Sequence, residues 1–192
     1  MRLNDPLVTS FIYNGKEYAI NLAFDVVLDA FDWLNNKHLR DYEKAEICLN
    51  LLINEDVRGV EAFELWNHIY KTFINNERRK PIEYDLKGNP MPVNDEDDED
   101  ERHIDFEQDA QYIYASFQQA YSMSLYEQQG KLQWREFYAL LHGLPSNTIM
   151  QRIIQIRAWK PSKGESEEDK QNMRKLQKVY ALNDRDEEEV DE

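Results

Sequence analysis

The sequence predicts a mainly α protein: an N-terminal β-hairpin with a small helical bundle, an acidic linker, and a C-terminal helical bundle. Three observations carry this. Apolar residues recur at helical spacing along most of the chain. One Asn-Gly pair lies between short runs of strand-forming residues. The periodicity then stops in a Pro-rich, acidic stretch before it returns. Only six Gly and six Pro in 192 residues argue against an all-β fold built from many tight turns. The apolar fraction of 41%, with 12% aromatics, supports packed cores in place of wholesale disorder. The length suits one domain or two small ones.

The hairpin comes first. In "VTSFIYNGKEYAIN", Asn14-Gly15 predicts a type I′ turn, which needs positive φ at both central residues. Phe11, Ile12 and Tyr13 precede it, and Tyr18, Ala19 and Ile20 follow. A lone hairpin is marginal in water, so the helices that follow should support it. Residues 23–36 place Phe24, Val27, Leu28, Phe31 and Leu34 on one helical face. Residues 41–53 read as a helix with Asp41 as N-cap, Lys44 where a capping box wants Glu, and an apolar set of Tyr42, Ala45, Cys48, Leu49 and Leu52. Residues 59–76 put Phe63, Trp66, Ile69, Tyr70 and Phe73 on one stripe.

From Glu77 to Ile104 the pattern is aperiodic, with three prolines, a Gly-Asn-Pro turn and the run "DEDDEDE". Order returns at Asp105, a good N-cap before a face of Phe106, Ala110, Ile113, Tyr114 and Phe117. Next comes "LQWREFYALLHGLP", with Leu132, Phe137, Leu140 and Leu141 apolar and Gly143 and Pro145 as the stop. Ser146 or Asn147 should cap "TIMQRIIQIRAW", and residues 166–182 form a last, more solvated helix. The division expected is an N-terminal unit over 1–76, a linker over 77–104, a C-terminal helical unit over 105–182, and an acidic disordered tail over 183–192. No internal repeat at a fixed period is visible.

The net charge of −15 is concentrated. Residues 95–101 carry −7 and residues 184–192 carry −6, so two short tracts hold −13 of it. A nucleic-acid mimic should instead spread carboxylates over a folded surface at about one charge per 1.7 Å of duplex axis. The first tract is not an EF-hand loop. Counting from Asp95, the sixth position is Asp100 where the turn needs Gly, and the twelfth is Phe106 where Glu is needed. It reads as a solvated boundary between two folded parts.

Little points to catalysis. Cys48, the single cysteine, lies in an apolar helical run and reads as a small buried hydrophobe; no disulfide framework or Cys-rich zinc site is available to this chain. Glu64 and His68 stand i, i+4 on one helix, yet no third metal ligand follows at a recognisable spacing, so an ordinary exposed pair is expected. No nucleotide-binding, nucleophile-elbow or zinc-protease motif occurs, and no cofactor is implied. Arg152, Arg157 and Lys160 form a modest basic stripe beside Trp159, too little positive charge for a nucleic-acid site. No signal-peptide pattern opens the chain and no run approaches the roughly 18 apolar residues of a membrane span, so an intracellular protein without a membrane partner is expected.

The aromatics are more telling. Tyr112, Tyr114, Phe117, Tyr121 and Tyr126 crowd one stretch on more than one helical face. A packed core explains this; so does one core face with a second face for a protein partner, since Tyr and Trp are enriched at interfaces.

Over residues 105–157 the chain resembles the bacteriophage "gp fifteen" family of temperate siphophages, through "DFEQDAQYIYASFQQAY", "LQWREFYALLHGLP" and "IIQIR". Looser similarity extends to "NGKEYAINLAF" near the front. Where the family pattern carries an aromatic after Trp134, this chain has Arg135, which predicts different local packing. The resemblance implies a non-enzymatic tail assembly chaperone in the cytoplasm of the infected bacterial host. Its partner would be the tape-measure protein, with the tail tube protein and self-association as further contacts. A tail or connector component retained in the virion, and a small inhibitor of a host protein, are the alternatives. The partner-binding residues expected on this reading are Tyr112, Tyr114, Phe117, Tyr121, Tyr126, Trp134 and Tyr138, with no catalytic or metal-binding set.

Overall fold

A computed structural model describes residues 4–75, 103–162 and 164–183. The architecture is mainly helical with one N-terminal hairpin, as the sequence predicts. The acidic run 95–101 and the acidic tail from Asp184 lie outside the described residues, as does the expected linker apart from His103 and Ile104. The described residues fall into two compact units, and these interleave along the chain. The first joins residues 4–75 to Ser124–Gly143; the second joins 103–123 to 144–183.

In the first unit, β1 (Ser10–Tyr13) and β2 (Lys16–Ala19) pair antiparallel, with Tyr13 opposite Lys16. Asn14 and Gly15 have φ of 49° and 79°, the left-handed pair that the turn requires. Phe11 and Tyr18 face each other across the ladder with stacked rings 5.5 Å apart, and both are buried. Ile12 points the other way and is 72% exposed, as a two-residue period demands. The support for the hairpin is the end of the third helix. Phe11 lies 5.4 Å from the ring of Phe73, and Tyr13 lies 4.9 Å from His68.

Helices α1 (Phe24–Leu34), α2 (Asp41–Ile53) and α3 (Gly59–Ile69) follow. On α1 the buried centre is Phe24, Val27 and Ala30, so the expected Leu28, Phe31 and Leu34 sit at its half-buried margins. The start of α2 differs from expectation by one residue: Arg40 takes the N-cap position, and its N–H donates to Glu43 Oε2 at 2.8 Å. That bond holds the Glu43 carboxyl below the usual carboxylate range. Tyr42 is 39% exposed beneath the Arg40 guanidinium, not core. Asn54 closes α2 in the left-handed conformation, with φ 52°. On α3 the buried residues are Ala62, Leu65, Trp66 and Ile69; Phe63, expected on this stripe, is 45% exposed. The helix ends in a π turn, Tyr70–Ile74, which rotates Phe73 and Ile74 into the core.

The remainder of this unit comes from far along the chain. A 3-10 turn, Leu125–Gln128, leads to α5 (Trp134–His142), taking α4 as the helix that precedes it in the chain, Ala110–Tyr121. The Phe24 N–H donates to the Leu132 carbonyl at 2.9 Å, and the Trp134 N–H to Leu22 at 2.7 Å. Phe24 and Phe137 then stack with centroids 4.9 Å apart. The "LQWREFYALLHG" segment expected with the C-terminal helices therefore groups with the N-terminal ones. Backbone pairing at Leu22–Phe24 and burial of Trp134 and Phe137 decide its place.

The second unit contains α4, α6 (Ile149–Arg157) and α7 (Glu167–Val179). Asp105 caps a turn instead of the helix itself: its Oδ1 accepts the N–H groups of Glu107 and Gln108 at 2.9 Å, and regular helix begins at Ala110. The buried face of α4 is Ile113, Ser116 and Phe117; Ala110 is exposed, and Phe106 and Tyr114 are half-buried. The residue preceding α6 is Thr148, not Ser146 or Asn147. Its hydroxyl donates to the Pro145 carbonyl at 2.7 Å, so the Met150 N–H is satisfied by Ser116 Oγ of α4, at 3.0 Å. Ser166 caps α7 by accepting the Asp169 N–H at 3.1 Å.

Candidate functional site

The seven aromatics singled out from the sequence divide between the units. Tyr126, Trp134 and Tyr138 belong to the first; Tyr112, Tyr114, Phe117 and Tyr121 belong to the second. Two are core and unavailable to a partner in the folded state. Phe117 is fully buried in the second unit, and Trp134 is 3% exposed in the first. The helical period explains Phe117, which follows Ile113 by one turn on the inward face. Trp134 is fixed by its own backbone pairing to Leu22.

The other five retain accessible surface. Tyr126 is 72% exposed in the 3-10 turn. Tyr138 is half-buried, with its ring 4.2 Å from His142 and 5.8 Å from Trp134. Tyr121 meets Phe117 edge-on at 5.6 Å, and Tyr112 meets Tyr180 edge-on at 6.2 Å. Tyr114 is half-buried on α4. Further apolar surface, not singled out from the sequence, lies on helices. Val60 (76% exposed) and Phe63 stand three residues apart on α3, and Leu176 and Val179 stand three apart on α7. Their spacing was legible in the sequence; their outward orientation was not.

Trp134 and Arg135 act together at the end of the π turn. The indole Nε1 donates to the Ile74 carbonyl at 2.9 Å, and Arg135 Nε donates to Phe73 at 3.3 Å. Arg135 Nη2 also donates to the Thr72 carbonyl. A helix end leaves carbonyls without intrahelical partners, and this dipeptide supplies donors to three in a row. The arginine in place of an aromatic thus has a local task. Next to it lies a cleft of about 200 Å³, lined by Pro6, Leu7, Val8, Leu22, Phe73 and Trp134 with Asp5, Gln133, Arg135 and Glu136. No Ser, Cys or His lines it, so it offers an apolar seat for a side chain and not a nucleophile with a base.

The basic stripe loses its central member. Arg157 is engaged in a largely buried ion pair with Asp109, whose carboxylate it meets at 2.6 and 2.8 Å. Its remaining donors serve the carbonyls of His103 and Tyr180, each at 2.7 Å. Sequence reading missed this pair; Asp105 and Asp109 at i, i+4 before an apolar helix gave a weak signal only.

His68 is not an exposed partner of Glu64. It is half-buried among aromatic rings, 5.9 Å from Phe11 and 6.4 Å from Phe73, where it contributes packing. Among the described residues, no three His, Cys, Asp or Glu side chains cluster as metal ligands. Cys48 Sγ donates to the Ala30 carbonyl at 3.4 Å, and burial pushes the thiol up to about 12. It is a packing residue held protonated. No helix among the described residues is long and apolar enough to cross a membrane.

No curated protein and no solved structure matches the chain. The family model described as "Bacteriophage Gp15 protein" matches residues 3–182, which takes in both units and the stretch between them. By that match over nearly its whole length, the chain belongs to the bacteriophage Gp15 protein family.

Proposed function

We propose that this phage protein is a non-enzymatic tail assembly chaperone that binds the tape-measure protein and keeps it soluble in the host cytoplasm until the tail tube assembles around it. The observation that carries the reading is the pair of exposed apolar sites on helices: Val60 with Phe63 in the first unit, Leu176 with Val179 in the second. Side chains at i, i+3 on a helix are the elements of helix-in-groove recognition, and large exposed apolar side chains grouped on one face mark interaction surface. A tape measure is long and helix-rich, with apolar stripes that self-associate when unpartnered. Weak, repeated contacts suit a chaperone that tube subunits must later displace. The acidic tracts add net charge, which opposes aggregation of the complex.

Mass spectrometry of infected-cell lysate and of purified particles tests the reading. A chaperone is abundant in the lysate and absent from particles. Stoichiometric presence in particles would make it a tail or connector component instead.

A further inference from the structure

Helix α7 has no buried side chain. Its inner side is held mostly by polar bonds: Gln177 Nε2 donates to the Arg157 and Trp159 carbonyls at 3.3 and 2.9 Å. Tyr180, just past its end, accepts from Arg157 Nε and meets Tyr112. Met173 and Gln177 are half-buried on this side. Leu176, 39% exposed, stands at the edge of this side, and Val179, 72% exposed, faces away from it. Lys175 stands one turn before Val179, with Lys178 beside it, and both lysines are exposed.

Charge along α7 is sorted. Glu167, Glu168 and Asp169 occupy the first turn. From Lys170 to Asn183 there is no acid, while Lys170, Arg174, Lys175 and Lys178 supply four cations in a chain of net charge −15. Cations near a helix C-terminus complement its dipole, which accounts for the sorting. It does not account for Leu and Val among the lysines on the water-facing side. Dipole complementarity alone would be served equally by polar residues at 176 and 179.

We propose that the C-terminal half of α7 is a docking site for an acidic amphipathic helix of a partner protein. Leu176 and Val179 take its aliphatic ridge, and Lys175 and Lys178, both to one side of that pair, take carboxylates along one flank. Charge selects the site: outside the two acidic tracts the chain is close to neutral, and the acid-free stretch 170–183 with its four cations attracts an acidic partner locally. The inference stands whichever protein supplies the helix, and does not depend on the partner being a tape measure.

The test uses the full-length protein and two designed amphipathic peptides with the same leucine ridge, one flanked by glutamates and one by lysines. Fluorescence anisotropy reads binding at two salt concentrations. The expected result is binding of the glutamate peptide at least about tenfold tighter than the lysine peptide, weakened by salt and lost by about tenfold in a K175E/K178E variant. Both substitutions are on the surface, and circular dichroism checks that the fold is kept. Equal binding of the two peptides, or binding indifferent to K175E/K178E, overturns the proposal. So does dimerisation that the same variant abolishes, which makes a second copy the occupant. Glutamate-peptide binding that appears only after residues 184–192 are removed also overturns it, by making the chain's own tail the occupant.

Discussion

Arg157 grips both carboxylate oxygens of Asp109, at 2.6 and 2.8 Å, with the two side chains only 9% and 1% exposed. Asp109 also accepts the Asp105 N–H at 3.0 Å, and Arg157 reaches the carbonyls of His103 and Tyr180. One guanidinium thus ties the chain before α4, the start of α4 and the end of α7 to the end of α6. Removing it strands a buried carboxylate, so Arg157→Ala should cost about 3–5 kcal/mol. Arg157→Lys keeps the charge without the planar fork and should recover only part. Urea titration reads both; an Arg157→Ala midpoint equal to the parent's would show that the pair is dispensable.

At the π turn, the ranking of variants separates ring packing from hydrogen bonding. Trp134→Ala removes the ring stacked on Phe137 and set edge-on to Phe31, and should cost about 3–5 kcal/mol. Trp134→Phe keeps most of the ring volume but leaves the Ile74 carbonyl without its donor, for about 1–3 kcal/mol. Arg135→Ala should cost less, about 1 kcal/mol, because Arg135 is only half-buried. Thermal unfolding gives the order. An Arg135 variant worse than Trp134→Ala would reverse the account.

The hairpin turn isolates a backbone effect. A Cβ at Gly15 would meet nothing within 4 Å, yet φ is +79°. Gly15→Ala should therefore cost about 1–2 kcal/mol through backbone strain alone. Gly15→Asn, better tolerated in that region, should cost less. Equal stabilities for the two variants would argue that the turn relaxes to another type.

Cys48 predicts a pH effect of definite sign. Burial raises its folded-state value to about 12 from an ordinary 9.0, so folding favours the protonated thiol. The contribution is fully present below pH 9 and is lost as pH rises from there towards 12. Reaction with a thiol reagent at pH 8 should be slow in the native protein and fast in urea. Rapid native-state labelling would mean that the site opens.

Tyr126 and Phe117 make a matched pair. Tyr126→Ala, at an exposed position, should change stability by no more than about 0.5 kcal/mol. Phe117→Ala, at a fully buried one, should cost about 3–5 kcal/mol. If partner capture falls with Tyr126→Ala at unchanged melting temperature, that ring is a contact. Unchanged capture removes it from the partner surface.

What could be read from the sequence was local. Asn14-Gly15 fixed the hairpin, since two consecutive residues tolerant of positive φ have few other uses. The bounds of α2 followed from its apolar spacing, although its cap fell on Arg40, because Glu43 reaches back to a backbone N–H whatever side chain stands there. What could not be read was long-range. Nothing in "LQWREFYALLHG" says that Trp134 pairs with Leu22, 112 positions away along the chain by their numbers. Helical periodicity names an inward face and leaves the neighbour unnamed. The same limit hid the outward Phe63 and Val60, the burial of Trp134, and the pairing of Arg157 with Asp109, whereas the burial of Phe117 follows from its place on the apolar face of α4.

Co-expression with the phage's tape-measure protein, followed by affinity capture and size-exclusion light scattering, bears most directly on the chaperone assignment. The account predicts a soluble complex of defined stoichiometry from a tape measure that is insoluble alone. A tape measure equally insoluble with and without this protein, and no complex on the column, would contradict it.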